Sequence, residues 1–440
     1  MVYQTVSVPV MKDGAEIAAA ARNTDVVVGR DSVFRVFVTP GAGFVARQLS
    51  ARVYLQNDTT LDTYSGKAMI SGASQEATLA STFQIAVPKD KITSSTRYAV
   101  EVVECGAAGT GGVLSPRFPA TDGASLAARV TGGIKIKLIP LLANSLTPDT
   151  SDTALAAYKA MMLAVYPITS VEFTVGDQLT VADAKDWPTM LDQIRAKRQT
   201  DKPAADVYYY GLLKPAATLR AYCGSGCTAG IGYVVPNTGP ATQLAAQRAA
   251  LGLAYSDQAS AETMVHEVGH NHGRDHAPCA QGGTISGVDP AYPYANAAIG
   301  VYGWDSRSGA LIPPTYTDMM GYCDKRWISD YTYDGLLTRV AQLDATAMSE
   351  LVVPASEVHP WRVALIDPRG PRWGIPITDA AAPAGTAEQA DILDATGAVA
   401  TTITVYRTRI ADVDAFSVEV PEPKPGWVSV RLAGAAPLAF

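Results

Sequence analysis

No stretch of this sequence is both long and apolar enough to cross a bilayer; the longest candidates, such as Ala154 to Pro167, are short or interrupted. It also lacks any Lys/Arg-rich run. With 35 basic against 42 acidic residues the formal net charge is −7 at pH 7, and an acidic surface repels nucleic acid. A membrane span and a nucleic-acid partner are therefore both excluded from the expectation. Charged residues are sparse at 18% while hydrophobic ones reach 48%, which argues against a disordered chain and for a globular one. No repeat of fixed period is evident, and no signal peptide is visible, because Val2, Gln4, Val6, Val8 and Val10 already alternate like a strand. Histidine is scarce, with five in the 440 residues.

Cysteine is equally scarce, also five: Cys105, Cys223, Cys227, Cys279 and Cys323. Cys223 and Cys227 flank a short Gly-rich loop that two thiols could close, and Cys279 and Cys323 bracket a later segment. Two such bridges would leave Cys105 unpaired; the alternative is five buried free thiols. The bridged reading favours a secreted protein whose leader has been removed.

At this length two or three domains are expected. Residues 1–130 alternate apolar and polar positions, as in Ser32 to Val38, Ala51 to Leu55 and Arg97 to Val103, and predict a β-sandwich of Ig-like type. From 131 to 348 strands alternate with helices. The strands are Ile134 to Pro140, Ser170 to Thr174, Ala205 to Gly211, Gly230 to Val235 and Ala249 to Tyr255. The helices are Asp152 to Tyr166, Trp187 to Arg198 and one capped by Ser260 that runs to His272. That order predicts a largely parallel sheet with helices packed on it. Residues 349–440 return to strands, as in Trp361 to Ile366, Thr401 to Tyr406 and Gly426 to Arg431, and predict a second small sandwich.

The chemistry is concentrated between Glu262 and His276. Four of the five histidines fall within the eleven positions from 266 to 276. His266 and His270 are one helical turn apart, which leaves their imidazoles about 40° apart on one face. Such a pair can grip one cation with both ring nitrogens. Glu267 follows the first ligand directly, displaced around the helix, where it can hold a water. Gly273 falls where the helix should end, because a helix C-terminus often needs a left-handed turn. The chain can then reverse and deliver His276 as third ligand. Three nitrogens leave a fourth position open, the mark of a catalytic zinc site. His272 lies roughly 200° around the helix from His270 and is expected to face away. His359 sits in a linker and is expected to be structural or solvated. Asp275 could orient a ligand, although such a residue is more often a solvated loop carboxylate.

The pattern His266-Glu267-x-x-His270-x-x-Gly273-x-x-His276 resembles the metzincin signature. Metzincins carry a Met-turn downstream, and Asp318 to Tyr322 looks like one, with Met320 as the floor residue and Met319 as its rival. The resemblance covers about 133–345. It implies a mixed α/β catalytic domain of the zincin type, a twisted, mostly parallel sheet plus helices, flanked here by β-sandwich domains. It implies zinc as cofactor, Glu267 as general base and Tyr322 as a group that approaches the metal or the developing oxyanion. The placement of Cys279, Tyr292, Tyr294, Tyr302, Trp304 and the stretch from Gly321 to Tyr333 is similar to secreted bacterial metalloproteases related to the mucin-cleaving family. The reading is then a secreted, monomeric zinc endopeptidase acting on protein or glycoprotein, O-glycosylated mucin-like proteins included, with substrate extended along the edge strand from Gly230 to Val235. Two rivals are a glycan- or protein-binding module with a residual metal site, and a zinc hydrolase of a non-peptide substrate. An intact Glu267 argues against the first.

Overall fold

The structure is a computed structural model and describes every residue except 106–116, 121, 225, 236–244, 280–285, 348–357 and 381. Contacts group the chain into two compact units. The first holds Met1–Gly132, Leu163–Ser170 and Ala291–Ala341; the second holds Gly133–Met162, Val171–Pro290 and Gln342–Phe440. The boundary expected between 348 and 349 lies outside the described residues.

Alternating side chains build the first unit. In Phe83–Val87 the residues Phe83, Ile85 and Val87 are buried while Gln84 and Ala86 are exposed, the two-residue period of a half-buried strand. This strand closes a four-stranded sheet with Val2–Tyr3, Ser7–Val8 and Ser32–Val36. A second sheet is organised around the antiparallel hairpin Arg47–Asn57 and Thr60–Ile70. Leu163–Ser170 is tied into this unit by the buried Arg30. Its guanidinium donates to the carbonyls of Leu163 and Ile168 and to the Thr5 hydroxyl, each at 2.9 Å, which satisfies a charge that would be costly to bury alone.

The second unit is centred on a six-stranded sheet. Ile134–Leu142 pairs in parallel with Val171–Val175, Leu179–Thr180 and Val207–Leu213, and Val207–Leu213 pairs in parallel with Ala249–Leu253. Gly230–Gly232 is added antiparallel at the far edge. The near-continuous burial of Val207–Leu213 fits a strand covered on both faces. Lys135 and Lys137 keep their charges solvated or paired, bonding Asp206 and Asp201 at 2.8 Å. The helix Trp187–Asp201 starts at Asp186, whose carboxylate accepts from the Thr189 amide at 3.2 Å, and packs Trp187, Leu191 and Ile194 into the core with Leu213, Ile231 and Leu251.

The C-terminal part of this unit corrects the sequence-based expectation. It is one eight-stranded antiparallel sheet, not a sandwich. Seven strands run in the order Gly370–Trp373, Val358–Asp367, Ala415–Pro421, Val399–Ile410, Thr386–Leu393, Ser429–Arg431 and Leu438–Ala439, with Ile377–Ala380 alongside Val358–Asp367. The path curls into a near-closed barrel. Strand accounts for 38% of the chain and helix for 19%, distributed over several mixed sheets. The expected metzincin-like α/β domain flanked by β-sandwiches is therefore not the architecture of this chain. The reason is physical: alternation tells which residues face inward but not which strands pair, and strands as long as the twelve-residue Val399–Ile410 can bond neighbours on both sides and curl.

On the strand Ala415–Pro421, Glu419 is buried near Arg195 and Asp192 of the helix Trp187–Asp201, and burial pushes its carboxyl up to about 7, with the Arg195 guanidinium opposing part of the rise. An unfolded glutamate titrates at 4.5. Between these values the folded chain holds a proton that the unfolded chain has lost, so stability falls as pH rises through the window. Glu419→Gln is expected to flatten that fall and to stabilise the protein at pH 8 by on the order of 2 kcal/mol. Urea unfolding at pH 5 and pH 8 measures it, and an unchanged pH dependence would contradict it.

Candidate metal centre

The helix Gln258–Asn271 carries the site. Its N-cap is Asp257, not the expected Ser260: the Asp257 carboxylate accepts from the Ser260 amide at 2.8 Å. The Ser260 hydroxyl instead accepts from the Tyr255 amide at 3.0 Å. The helix ends as expected at Gly273, which takes φ of +80° and lets the Arg274 amide return to the Gly269 carbonyl at 3.0 Å. Asn271 fastens this end to the sheet, donating to the carbonyls of Tyr233 and Ala249 at 2.9 and 3.0 Å.

His266, His270 and His276 come together, all buried. His270 Nδ1 lies 2.6 Å from the Arg274 carbonyl and His276 Nδ1 2.7 Å from the Ser286 carbonyl. A carbonyl only accepts, so Nδ1 carries the proton in both rings and Nε2 is left as a lone-pair donor. Burial, opposed by the neighbouring Asp412 carboxylate and aided by the adjacent imidazoles, pulls His270 down to about 3. It is neutral at neutral pH.

A fourth group completes the cluster, and it comes from the barrel. Asp412 sits between the strands Val399–Ile410 and Ala415–Pro421. Its Oδ1 lies 3.5 Å from His266 Nε2 and 3.4 Å from His276 Nε2, and its Oδ2 lies 3.3 Å from His270 Nε2. His266 and His270 Nε2 are 3.1 Å apart. Four donors at ~2.1 Å from a tetrahedral zinc would be separated by ~3.4 Å, so the spacing fits such an ion. Imidazole lone pairs and a carboxylate converging in a buried space repel one another unless a cation lies between them. These residues thus form a metal-binding group compatible with zinc.

Glu267 is buried beside this group. Burial, then the charge and hydrogen bond of Asp412, hold its carboxyl well above the usual range. Burial would also raise Asp412, but the surrounding imidazoles outweigh it and hold Asp412 well below that range. The closeness of Glu267 to the edge strand depends on Gly230: a Cβ there would lie 2.6 Å from Glu267 Oε1 and 2.7 Å from Thr263 Cγ2.

No protein-family model matches this chain, and no curated protein matches it either.

Of the remaining expected residues, His272 is not among the ligands. Its ring stacks on Tyr208 with centroids 4.8 Å apart, and its Nδ1 lies 2.8 Å from the Val268 carbonyl. His359 is exposed on the strand Val358–Asp367. Asp275 pairs with Arg409. Met320 and Tyr322 belong to the first unit. Met320 is buried, in a turn where the Asp318 carboxylate accepts from the amides of Met320 and Ser329 at 2.8 and 2.9 Å. Tyr322 is 39% exposed. Tyr292 packs edge-on against Tyr294 and Tyr331 in the same unit. Cys223 is bonded to Cys227, Cys279 and Cys323 are also disulfide-bonded, and Cys105 is free and exposed. That removes the alternative of five free thiols. Among the described residues no helix is long and apolar enough to cross a membrane.

Asp412 was not foreseeable from spacing. It stands far along the chain in the turn segment Asp412-Val413-Asp414, and aspartates are ordinary turn residues.

Proposed function

We propose that this chain is a zinc-dependent endopeptidase that acts on protein or glycoprotein substrates outside the cell. The observation that carries the reading is the convergence of three imidazole Nε2 atoms with the Glu267 carboxyl beside them and a strand edge, Gly230–Gly232, along the same helix. By its motif the chain stands with the metzincin endopeptidases in chemistry while differing from them in architecture. The two disulfides agree with an oxidising compartment.

Zinc bound there would polarise a scissile carbonyl and acidify water. The chain's residues do the rest. His266, His270 and His276 hold the metal as neutral donors. Glu267 accepts a proton from the attacking water and returns it to the leaving amine. The Gly230–Gly232 edge offers backbone groups to an extended peptide.

One observation favours a second reading. With Asp412 in the fourth position the ligand set is closed, as in structural zinc sites, and the metal would then brace the barrel against the sheet. Digestion of casein and of an O-glycosylated mucin-type protein by the Asp412→Ala chain, whose fourth metal position is open, with and without a chelator, tests the enzymatic reading. Cleavage that stops on chelation and resumes with zinc is the expected result. Cleavage indifferent to chelation would contradict it, and cleavage of the mucin alone would assign the glycan-dependent substrate class suggested by sequence resemblance.

A further inference from the structure

The barrel does more than supply one carboxylate. The segment leading to Asp412 lies along the strand edge that an extended substrate would use. The Val234 amide donates to the Arg409 carbonyl at 3.1 Å, and the Ala411 amide donates to the Gly232 carbonyl at 2.9 Å. Between them Tyr233 and Ile410 form an antiparallel bridge. This is the hydrogen-bonding pattern by which a peptide adds to an exposed sheet edge. Ile410 is fully buried in the core beneath, with Ile231, Tyr233 and Leu251. Arg409 pairs with Asp275, and its guanidinium lies over Gly287, where any Cβ would collide with it. Immediately after this stretch the chain places Asp412 in a left-handed conformation, φ +64°, which directs the carboxylate at the three imidazoles.

We propose that Arg409–Asp412 is an internal pseudo-substrate: it occupies the substrate edge while Asp412 fills the fourth metal position, so that this structure is the latent form of the protein. The inference rests on the zinc-endopeptidase reading above. A strand edge already paired cannot pair with a substrate, and a metal with four protein donors keeps no position for water. Activation requires the Asp412 turn to withdraw, by cleavage of the hairpin or by its displacement. The rest of the barrel does not depend on this contact for attachment. Arg369 and Arg372 bond Asp186 at 2.6 and 3.0 Å, and Asp192 accepts from the Ile375 amide at 2.6 Å. Loss of Asp412 therefore leaves the barrel anchored on the helix Trp187–Asp201.

The test uses the full chain loaded with cobalt(II) in place of zinc, with its visible spectrum as readout and acetohydroxamate as a small metal-directed probe. The native chain is expected to give an intense four-coordinate spectrum that acetohydroxamate barely alters. Asp412→Ala is expected to shift the bands and let the probe titrate them. Tethering holds the carboxylate at an effective concentration of about millimolar or more, so removing it should tighten probe binding by at least about tenfold. Asp412→Asn, which keeps the shape of the turn, is the second variant, and circular dichroism checks that both fold. A native spectrum that already responds to the probe as strongly as the variants would overturn the latch, as would variants with an unaltered spectrum. A native chain that binds no cobalt would overturn the metal site and the latch with it. Variants that bind the probe but cut neither casein nor mucin would uphold the latch and reject the peptidase reading.

Discussion

His270→Ala is expected to reduce zinc binding from one ion per chain to none that survives dialysis. His270 is fully buried at the middle of the cluster, its Nε2 3.1 Å from that of His266 and 3.3 Å from Asp412 Oδ2. Loss of a mere outer partner of a ligand costs roughly 10–100-fold in metal affinity, and loss of a ligand itself should exceed that. The effect reaches stability as well. At a free metal concentration a thousand times Kd, binding stabilises the folded state by about 4 kcal/mol. A chelator should therefore lower the melting temperature of the native chain and leave that of His270→Ala unmoved. His272→Ala is the control, because His272 stacks on Tyr208 and lies outside the cluster; it should keep its zinc. Elemental analysis after dialysis decides the matter. An equimolar zinc content in His270→Ala would refute the ligand assignment.

Glu267→Gln should lower peptide hydrolysis by about 10²–10⁴-fold, equivalent to ~3–5 kcal/mol of transition-state stabilisation, while zinc content stays at one per chain. Glutamine keeps the size of the side chain, so it still fits beneath Gly230, where the clearance to Glu267 Oε1 is narrow. It cannot accept and return a proton. The rates are best compared with Asp412→Ala as parent, since that chain is expected to have its metal position open. A rate unchanged by Glu267→Gln would remove the general base from the account even if zinc remains bound.

The parts of the site that are local in sequence were legible, and those assembled at long range were not. His266 and His270 are joined by one helical turn, and Gly273 announces the reversal that delivers His276; each rests on spacing or backbone freedom, which the sequence carries directly. The exclusion of His272 rested on the same angular argument, and its ring does stack away on Tyr208. The helix start was misread by a few residues because Asp257 and Ser260 both have capping side chains, and only the fold decides which accepts from which. The strands Ile134–Leu142, Val207–Leu213 and Ala249–Leu253 were visible as apolar runs. The C-terminal barrel was not, because the pairing of Val399–Ile410 with both Thr386–Leu393 and Ala415–Pro421 is a non-local choice. Asp412 escaped for the same reason: its role exists only once that barrel is folded and set against the Gly230–Gly232 edge.

The central claim is a metal centre built by three imidazoles, and zinc-edge X-ray absorption on the purified, zinc-loaded full chain tests it most directly. The account predicts four nitrogen or oxygen donors at ~2.0–2.1 Å, with the outer-shell scattering of three imidazole rings. Zinc surrounded by sulfur at ~2.3 Å, or by water oxygens without imidazole scattering, would contradict it.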